Sequence, residues 1–329
     1  MPPPSILCPI DFSEASRSAL SYAIAIADHF GARLTVLAVD DPLLADAAAA
    51  AGIIPSLADE TRCELKRFCG EVIAHRRAGA MTIDYQATTG KPAVEILRFA
   101  HMLHCDLIVI SSHGRSGLRK LFLGSTTERV LREAPVPVLI TSGEPPLAAS
   151  LSEIGRHINR VLAPVDLTPV TGQQVRLAHG IADSLSIPLI VAHVVEPVFV
   201  PARVRHALRG AEDARRTRAS EALSDLVGPI APKAELMVLT GDASEEIAAL
   251  AAARGANLIV MGLHSSGVTG PRMGSVTYRV LSTSHLLVLA IPPKPVDSRP
   301  DLAREHHAAF IGRRTTTAVP PSGGQSTAI

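Results

Sequence analysis

The chain contains the same sequence pattern twice, and this internal repeat limits its fold more than any other feature. The segment 6–13, Ile-Leu-Cys-Pro-Ile-Asp-Phe-Ser, returns 155 positions later at 161–168 as Val-Leu-Ala-Pro-Val-Asp-Leu-Thr. Further along, Asp-Leu-Ile-Val-Ile at 106–110 returns at 257–261 as Asn-Leu-Ile-Val-Met. Such a period exceeds the roughly 20–50 residues of solenoid repeats and lets each copy bury its own core. The sequence therefore predicts two tandem copies of one domain.

Composition and charge argue against nucleic acid and anionic membranes as partners. The 329 residues, 47% of them hydrophobic, suit two domains of ordinary size. The formal net charge is only +1, and aromatic residues make up 3% of the chain, with no tryptophan. Nucleic-acid binding depends on basic surfaces and on aromatic stacking, so we expect no nucleic-acid partner and no membrane partner.

Cysteine usage and the apolar stretches indicate a soluble cytoplasmic protein. The four cysteines, at 8, 63, 69 and 105, form neither a Cys-x-x-Cys pair nor a zinc-type spacing, so we expect reduced thiols. The first residues, Met-Pro-Pro-Pro-Ser, lack the basic and apolar regions of a signal peptide. The alanine-rich stretch at 45–58 contains Asp46 and Pro55 and is too short to span a bilayer.

Each copy alternates short apolar runs with helical patterns. In the first copy we expect strands near 5–10, 33–39, 81–87, 107–110 and 136–140, and helices near 13–30, 57–77, 92–104 and 125–132. Strand–helix alternation with solid apolar strands predicts a doubly wound α/β fold, a parallel sheet with helices on both faces. The expected organisation is a first domain at 1–142, a linker at 143–157, a second domain at 158–293 and a disordered tail at 294–329.

Polar and glycine residues recur where the expected strands end. Ligands of open parallel sheets bind at the carboxyl ends of the strands, where the winding direction reverses. Pro9-Ile10-Asp11 ends the first strand, and Pro164-Val165-Asp166 repeats it in the second copy. A carboxylate at such an end can accept a hydrogen bond from a ribose or an adenine.

The segment 111–126 has features of a phosphate-binding turn. Gly114 and Gly124 allow the backbone to approach a ligand closely and to adopt positive φ. Ser125 begins a helix whose free N–H groups attract anions. Three basic residues of the loop would balance phosphate charge: Arg115, Arg119 and Lys120.

Structural explanations compete with these functional ones. Asp11 would also serve as the N-cap of the first helix, and Ser125-Thr-Thr-Glu128 has the pattern of a capping box. His113 is explained by loop packing as well as by ligand contact. His101, His104 and Cys105 would share a helix face and suggest a metal, but the second copy has Ala252, Gly255 and Ala256 there. We therefore expect no metal site.

Familiar nucleotide-binding and hydrolase signatures are missing. The sequence has no GxxxxGK[ST], and no GxGxxG follows the first strand, so it is neither a P-loop protein nor a Rossmann dinucleotide-binding protein. It also lacks the GxSxG nucleophile elbow, and no Ser–His–Asp order occurs in both copies.

These motifs resemble the universal stress protein family in its tandem two-domain form. The resemblance rests on the opening hydrophobic-Pro-x-Asp-Phe-Ser, the Asp-Leu-Ile-Val-Ile strand, and the closing Gly-Ser helix before Ala-Pro-Val-Pro-Val-Leu-Ile. It covers residues 4–141 and 158–291. The resemblance implies two five-stranded parallel sheets of strand order 3-2-1-4-5, of the adenine nucleotide alpha hydrolase-like type.

The family's ATP-binding members carry Gly-x2-Gly-x9-Gly-Ser/Thr after the fourth strand. The first copy has Ser111 at the first glycine and otherwise keeps the spacing. The second copy begins with Gly262, has Ser265 at the second glycine, and its loop is one residue shorter. The resemblance implies that ATP, alone or with Mg²⁺, binds at Pro9, Ile10, Asp11, Val39, Ser111, Gly114, Gly124, Ser125 and Thr126, and at Pro164, Val165, Asp166, Val194, Gly262, Gly274, Ser275 and Val276.

Three functions remain open at this stage. The leading hypothesis is an adenine-nucleotide-binding regulatory protein of stress adaptation with little or no enzymatic turnover, in which the first copy binds ATP better than the second. The alternatives are a slow ATPase, in which His113 or Asp11 positions water, and a dimerisation or partner-docking module that binds no nucleotide. The signalling partner is unknown from the sequence.

The last strand of each copy is expected at the edge of its sheet, where unpaired backbone groups invite pairing. We therefore predict that the strands at 136–140 and 286–291 pair, giving an internal pseudo-dimer of the two copies. Whether two chains form a homodimer is left open by the sequence.

Overall fold

The computed structural model describes residues 3–52, 57–74, 82–114, 123–141, 158–168, 171–197, 209–263, 274–284 and 286–292. The strands in these residues are β1 (Ser5–Ile10), β2 (Arg33–Asp40), β3 (Ile83–Thr89), β4 (Leu107–Ser111), β5 (Val138–Thr141), β6 (Val161–Val165), β7 (Leu189–Val195), β8 (Glu235–Thr240), β9 (Leu258–Gly262) and β10 (Leu287–Ile291). The helices are α1 (Glu14–Phe30), α2 (Pro42–Ala50), α3 (Leu57–Ile73), α4 (Pro92–Met102), α5 (Ser125–Glu133), α6 (Thr171–Leu185), α7 (Arg209–Val227), α8 (Ala243–Arg254) and α9 (Ser275–Thr283).

The strands form one sheet of order β3-β2-β1-β4-β5-β10-β9-β6-β7-β8. Within each copy the neighbouring strands are parallel and follow the order 3-2-1-4-5, so the expected α/β fold with two tandem doubly wound domains is confirmed. The apolar runs are buried because helices cover both faces of the sheet. Helices α1, α3, α6 and α7 contribute to the core on one face, and α4, α5, α8 and α9 contribute to the core on the other.

The two copies meet through their last strands. β5 and β10 pair antiparallel, with Leu139 opposite Leu289 and Ile140 opposite Val288. The side chains of these residues are at most 7% exposed, so the junction is apolar as well as hydrogen-bonded. The structure shows the pairing expected from the two sheet edges, although β5 begins at Val138 rather than at 136.

The first strand of each copy separates from the fourth strand near its carboxyl end. β1 pairs with β4 only at Ile6 and Leu7, whereas it pairs with β2 along its whole length. The Ser5 carbonyl oxygen accepts from the Asp106 N–H on the β4 side. The backbone N–H and C=O groups of every second residue in a strand point to the same neighbouring strand, so the backbone of Pro9, like that of Ser5, faces β4. Proline has no N–H to donate there. The missing donor helps to end the ladder there, and Pro164 repeats this arrangement in β6.

Left-handed residues end corresponding helices in the two copies. Gly31 has φ 61° at the end of α1, and Ser186, 155 positions later, has φ 54° at the end of α6. In both cases the next residue donates its N–H to the carbonyl oxygen of an alanine, Ala27 or Ala182, in the last turn. The second copy thus places an L side chain where the first copy has glycine.

Helix α2 was not expected from the sequence. Asp41 is its N-cap and accepts a hydrogen bond of 2.8 Å from the Leu43 N–H, and Pro42 occupies the first turn. Leu43 and Leu44 are 76% and 54% exposed, so no apolar stripe faces the core. Alanine has the highest helix propensity, and here propensity and a cap form the helix without the periodic pattern that usually reveals one.

Two further expectations concern the domain boundaries and the membrane-spanning helices. The linker at 143–157 and the tail at 294–329 lie outside the described ranges, so the domain boundaries remain predictions. In the ranges that the structure describes, no helix combines the length and the apolar character needed to cross a bilayer.

The paired helix ends give a test of backbone strain. A non-glycine residue in the left-handed region costs about 1–2 kcal/mol of stability. Glycine avoids this cost, but it loses about 0.5–1 kcal/mol because folding removes more of its backbone entropy. We therefore expect Ser186→Gly to raise the free energy of unfolding by about 0.5–1 kcal/mol and Gly31→Ser to lower it by a similar amount. Urea denaturation of the full chain measures both changes. If both substitutions changed the free energy of unfolding by the same amount in the same direction, the expected strain at Ser186 would be contradicted.

Candidate functional site

A cavity of about 410 Å³ lies at the carboxyl ends of the strands in the second copy. It is lined by residues at or just after the ends of β6, β7 and β9, by one residue of α6, and by residues at or near the starts of α8 and α9, namely Pro164, Val165, Asp166, Gln174, Ala192, His193, Val194, Glu196, Ala243, Ile247, Met261, Gly262, Gly274, Ser275, Val276 and Thr277. The volume falls within the range of small-molecule sites, roughly 300–1,000 Å³. All eight residues predicted as ligand contacts in the second copy are in this lining.

A buried glutamine spans the crevice between β6 and β9. These strands pair only at Val161 and Leu162 and then separate, as their counterparts do in the first copy. The Gln174 Nε2 donates to the Pro164 carbonyl oxygen at 2.6 Å and to the Val260 carbonyl oxygen at 2.9 Å. The side chain is 7% exposed, so these hydrogen bonds compensate carbonyl groups that the interrupted ladder leaves unpaired.

A histidine forms a second polar contact with a strand end. His193 on β7 lies opposite Val165, and its Nδ1 is 2.8 Å from the Val165 carbonyl oxygen. A carbonyl oxygen can only accept, so Nδ1 carries the hydrogen and Nε2 of the neutral ring is an acceptor. The corresponding positions in the first copy, 155 residues earlier, are Ala19 for Gln174 and Ala38 for His193.

The carboxylate at the end of β6 fixes the turn that leaves the strand. Asp166 Oδ1 accepts from the Thr168 N–H at 3.1 Å and from the Thr168 hydroxyl at 2.7 Å. It also accepts from the Thr171 hydroxyl at 3.1 Å. Leu167 between them has φ 59°, a left-handed conformation costing a non-glycine residue about 1–3 kcal/mol unless its surroundings hold it. The hydrogen bonds of Asp166 supply that restraint.

The first copy repeats this turn. Asp11 Oδ1 accepts from the Ser13 N–H at 3.1 Å and from the Ser13 hydroxyl, and Phe12 has φ 63°. Ser13, whose Oγ accepts from the Ser16 N–H at 3.2 Å, is the N-cap of α1. The alternative that Asp11 itself caps the helix is therefore wrong. Asp11 instead holds the capping residue in place.

Gly114 packs directly against the Asp11 carboxylate. A Cβ added at Gly114 would lie 2.5 Å from Asp11 Oδ2, closer than side-chain atoms can pack. Glycine is needed here for close approach rather than for an unusual backbone. The expected positive φ is not found at either glycine of this segment: Gly124 has φ −60°, and Gly114 is absent from the left-handed residues of the described chain. The close approach brings the segment after β4 onto the end of β1.

The helices that follow the glycine segments begin without a side-chain cap. Gly124 and Gly274 are the N-caps of α5 and α9, and neither helix has a side-chain cap hydrogen bond. The proposed capping box is therefore wrong: Ser125 lies inside the first turn, and Glu128 pairs with Arg132 instead. First-turn N–H groups have no acceptor within their helix and present a partial positive charge.

Threonines anchor these helix ends to the sheet. The Thr127 hydroxyl donates to the Ser111 carbonyl oxygen at 2.8 Å, and the Thr277 hydroxyl donates to the Gly262 carbonyl oxygen at 3.1 Å. Ser111 is 7% exposed, and its hydroxyl donates to the His113 carbonyl oxygen at 2.8 Å. Each helix start is thus held beside the end of the fourth strand of its copy.

His113 lies next to Gly114 with one ring nitrogen bonded. Its Nδ1 is 2.8 Å from the Ser112 hydroxyl, whereas Nε2 is buried and meets no partner in the described part of the chain. Its counterpart His264 lies outside the described residues, as do Ser265 and the basic residues Arg115, Arg119 and Lys120.

The histidines and the cysteine that suggested a metal do not share a helix face. α4 ends at Met102, and His104 has φ 47°, outside the helical conformation. Cys105 is buried, and burial raises its pKa to about 11. The Ser5 hydroxyl donates to its sulfur at 3.8 Å.

Two polar residues of the site are specific to the second copy and were not predicted from the sequence. In the sequence alone, Gln174 and His193 look like solvent-exposed polar residues. They are conspicuous only when the second copy is aligned with the first, which has Ala19 and Ala38 at these positions. A third difference is a charge reversal where α4 and α8 begin. Lys91 is the N-cap of α4 and makes no capping bond, whereas its counterpart Asp242 caps α8.

Asp242 is held as a carboxylate by several donors. The Ser244 hydroxyl at 2.6 Å is the main cause that lowers its pKa to about 2, and the Glu245 and Ser244 N–H groups and Arg279 lower it further. The Arg279 guanidinium lies 2.9 Å from Oδ2. Asp242 thus links the start of α8 to α9 at the side of the cavity that Ala243 lines.

Comparison with known proteins identifies the family. A sequence model of the universal stress protein family matches residues 4–142 and 157–292. The chain is 33% identical over 142 residues to the universal stress protein YxiE of Bacillus subtilis, covering 41% of this chain and 96% of that protein. With two matches that together span most of its length, the chain belongs to the universal stress protein family as a tandem two-domain member.

Solved structures share the two-domain architecture. A universal stress protein from Archaeoglobus fulgidus covers 90% of this chain and 100% of its own, with a TM-score of 0.59 and 20% identity. A functionally unknown protein from Pseudomonas aeruginosa covers 93% of this chain and 96% of its own, with a TM-score of 0.61 and 20% identity. At this identity the likeness concerns the fold alone.

The lowered pKa of Asp242 predicts a pH dependence of stability. A carboxyl whose folded pKa lies below its unfolded value of about 4 stabilises the fold above that value, and the contribution disappears as pH falls towards about 2. We expect Asp242→Asn to be less stable than the wild type at pH 5, with the difference in free energy of unfolding shrinking between pH 4 and 2. Urea denaturation across this range measures it, with Glu221→Gln, exposed on α7, as control. A difference independent of pH would contradict the ionic role.

Proposed function

We propose that this universal stress protein is an adenine-nucleotide-binding regulatory protein and that the first copy is its main ATP site. The observation that carries the proposal is the close packing of Gly114 against Asp11, which brings the segment after β4 to the carboxylate at the end of β1. A nucleotide in the crevice would have its ribose hydroxyls near a carboxylate acceptor and its phosphates near the start of α5.

The start of α5 supports the phosphate end of this proposal. Its first-turn N–H groups have no side-chain cap, and the dipole of the helix favours an anion there. Thr126 adds a hydroxyl donor in this turn, whereas the second copy has Val276 at the same position. Lys91 at the start of α4 adds a positive charge that the second copy replaces with Asp242.

The adenosine end also favours the first copy. Ala19 and Ala38 have no side-chain donor that could hydrogen-bond the carbonyl groups of the strand ends, whereas Gln174 and His193 occupy the corresponding groups in the second copy. Val39, at the end of β2, would lie against the base. The proposed role is binding and signalling rather than turnover, and Mg²⁺ would accompany the phosphates as a counter-ion.

Substitutions at matched positions test this asymmetry in the full chain. Asp11→Asn removes a charged acceptor from the proposed ribose contact, and a hydrogen bond to a charged group contributes about 1.5–3 kcal/mol. We expect its ATP affinity in isothermal titration calorimetry to fall at least about tenfold. The twin substitution Asp166→Asn should change it less than about twofold. A larger loss in Asp166→Asn would reverse the assignment of the copies.

The phosphate end has its own test. Thr126→Val copies the valine of the second copy, and we expect it to weaken ATP binding about threefold to tenfold while leaving adenosine binding unchanged. Circular dichroism confirms folding of each variant, and Asp183→Asn on α6 serves as a surface control. Absence of ATP binding to the wild-type chain at millimolar concentration would refute the proposed function and favour a docking module.

A further inference from the structure

The second-copy cavity is rich in hydrogen-bond acceptors. Gln174 uses both hydrogens of its amide on carbonyl oxygens, so the group it can still offer is the acceptor Oε1, which receives no hydrogen bond from the described residues. In the neutral form of His193, Nε2 is likewise an acceptor, since Nδ1 carries the hydrogen that it donates to the Val165 carbonyl oxygen. Asp166 and Glu196 add carboxylates to the same lining.

Few positive charges lie beside this cavity; one is the Arg215 guanidinium on α7, which donates to the carbonyl oxygen of the lining residue Glu196 at 3.1 Å. Its lining contains no lysine or arginine among the described residues. Arg279, the cation on the adjoining helix α9, is engaged by Asp242 at 2.9 Å. The hydroxyl of Thr126 in the first copy is replaced by the apolar Val276. The start of α9 supplies N–H donors, but a group bearing several negative charges would also meet carboxylates that nothing in the described lining neutralises.

The shape of the cavity also differs from the first copy. Ala192 stands where the first copy has Leu37, whose side chain is fully buried. The smaller residue leaves volume beside β7 that a ligand can occupy. Gln174 is 7% exposed and lines the cavity, so a ligand or water in the cavity can donate to its remaining acceptor Oε1.

We propose that the second cavity binds an uncharged, donor-rich ligand of the nucleoside class and discriminates against nucleoside triphosphates. This inference rests on the proposed function, because it takes both copies to present sites of the nucleotide-binding type. An exocyclic amine and ribose hydroxyls are donors that match Gln174, His193 and Asp166. A triphosphate contributes only acceptors and negative charge. The two copies would thus sense two different ligands with one fold.

Titration calorimetry of the full chain with adenosine and with ATP separates the two sites. Gly114→Ala disturbs the first site, because its Cβ would collide with Asp11. Ala192→Leu fills the second cavity with the residue of the first copy. Because the first copy is also proposed to hold an adenosine end, the second-copy variants are tested in the Gly114→Ala chain. We expect adenosine binding to persist in Gly114→Ala and to be lost when Ala192→Leu is added to it. In the Gly114→Ala chain ATP should bind at least tenfold more weakly than adenosine.

A milder substitution keeps the test valid if Ala192→Leu perturbs folding. His193→Ala copies Ala38 of the first copy and removes one acceptor, so it should weaken adenosine binding about threefold to tenfold. His101→Ala, an exposed histidine on α4, is the matched control and should leave adenosine binding unchanged. ATP binding to Gly114→Ala as tight as adenosine binding would overturn the inference, as would adenosine binding unaffected by His193→Ala and Ala192→Leu.

The outcomes also distinguish this inference from the proposed function. Loss of ATP binding in Gly114→Ala with adenosine bound at neither site refutes the inference and leaves the proposed function intact. Absence of ATP binding to every chain, together with adenosine binding that depends on Ala192, refutes the ATP proposal and shows that the second cavity acts alone.

Discussion

The early end of the ladder between the first and fourth strands is the constraint on which the candidate sites depend. β1 and β6 each pair with their fourth strand at only two positions, and a proline without an N–H follows two residues later. In the middle of a strand this would leave carbonyl groups unpaired in the core. At the carboxyl end, where helices on opposite faces diverge, it instead opens a crevice that a ligand can enter.

The two copies share the frame of the candidate site and differ in some of the side chains around it. Both keep a carboxylate that restrains a left-handed residue, Phe12 or Leu167, and both start the last helix at a glycine without a side-chain cap. In the second copy Gln174 and His193 satisfy carbonyl groups from within the protein. A carbonyl satisfied in this way is not available to a ligand, so in the proposed second site the side chains of Gln174 and His193 would contact the ligand instead.

Much of the fold was predictable because its signals are local and repeated. Apolar runs bounded by glycine and proline gave the strands, the repeat gave the two domains, and the polar residues after each strand gave the lining around Asp166. The hydrogen-bonding of Gln174 was not predictable, since a glutamine on a helix usually faces solvent. The predicted capping box at Ser125 is wrong because Gly124 takes the N-cap position. Helix α2 lacks the apolar stripe that pattern analysis requires.

The most direct test of the central claim is a crystal structure of the full chain grown with ATP. The crevice beside β1 should hold the nucleotide, with ribose hydroxyls donating to Asp11 and phosphate oxygens accepting from the first-turn N–H groups of α5. ATP bound elsewhere on the chain, or an empty crevice at saturating ATP, would contradict the claim that the interrupted strand pairing builds a nucleotide site.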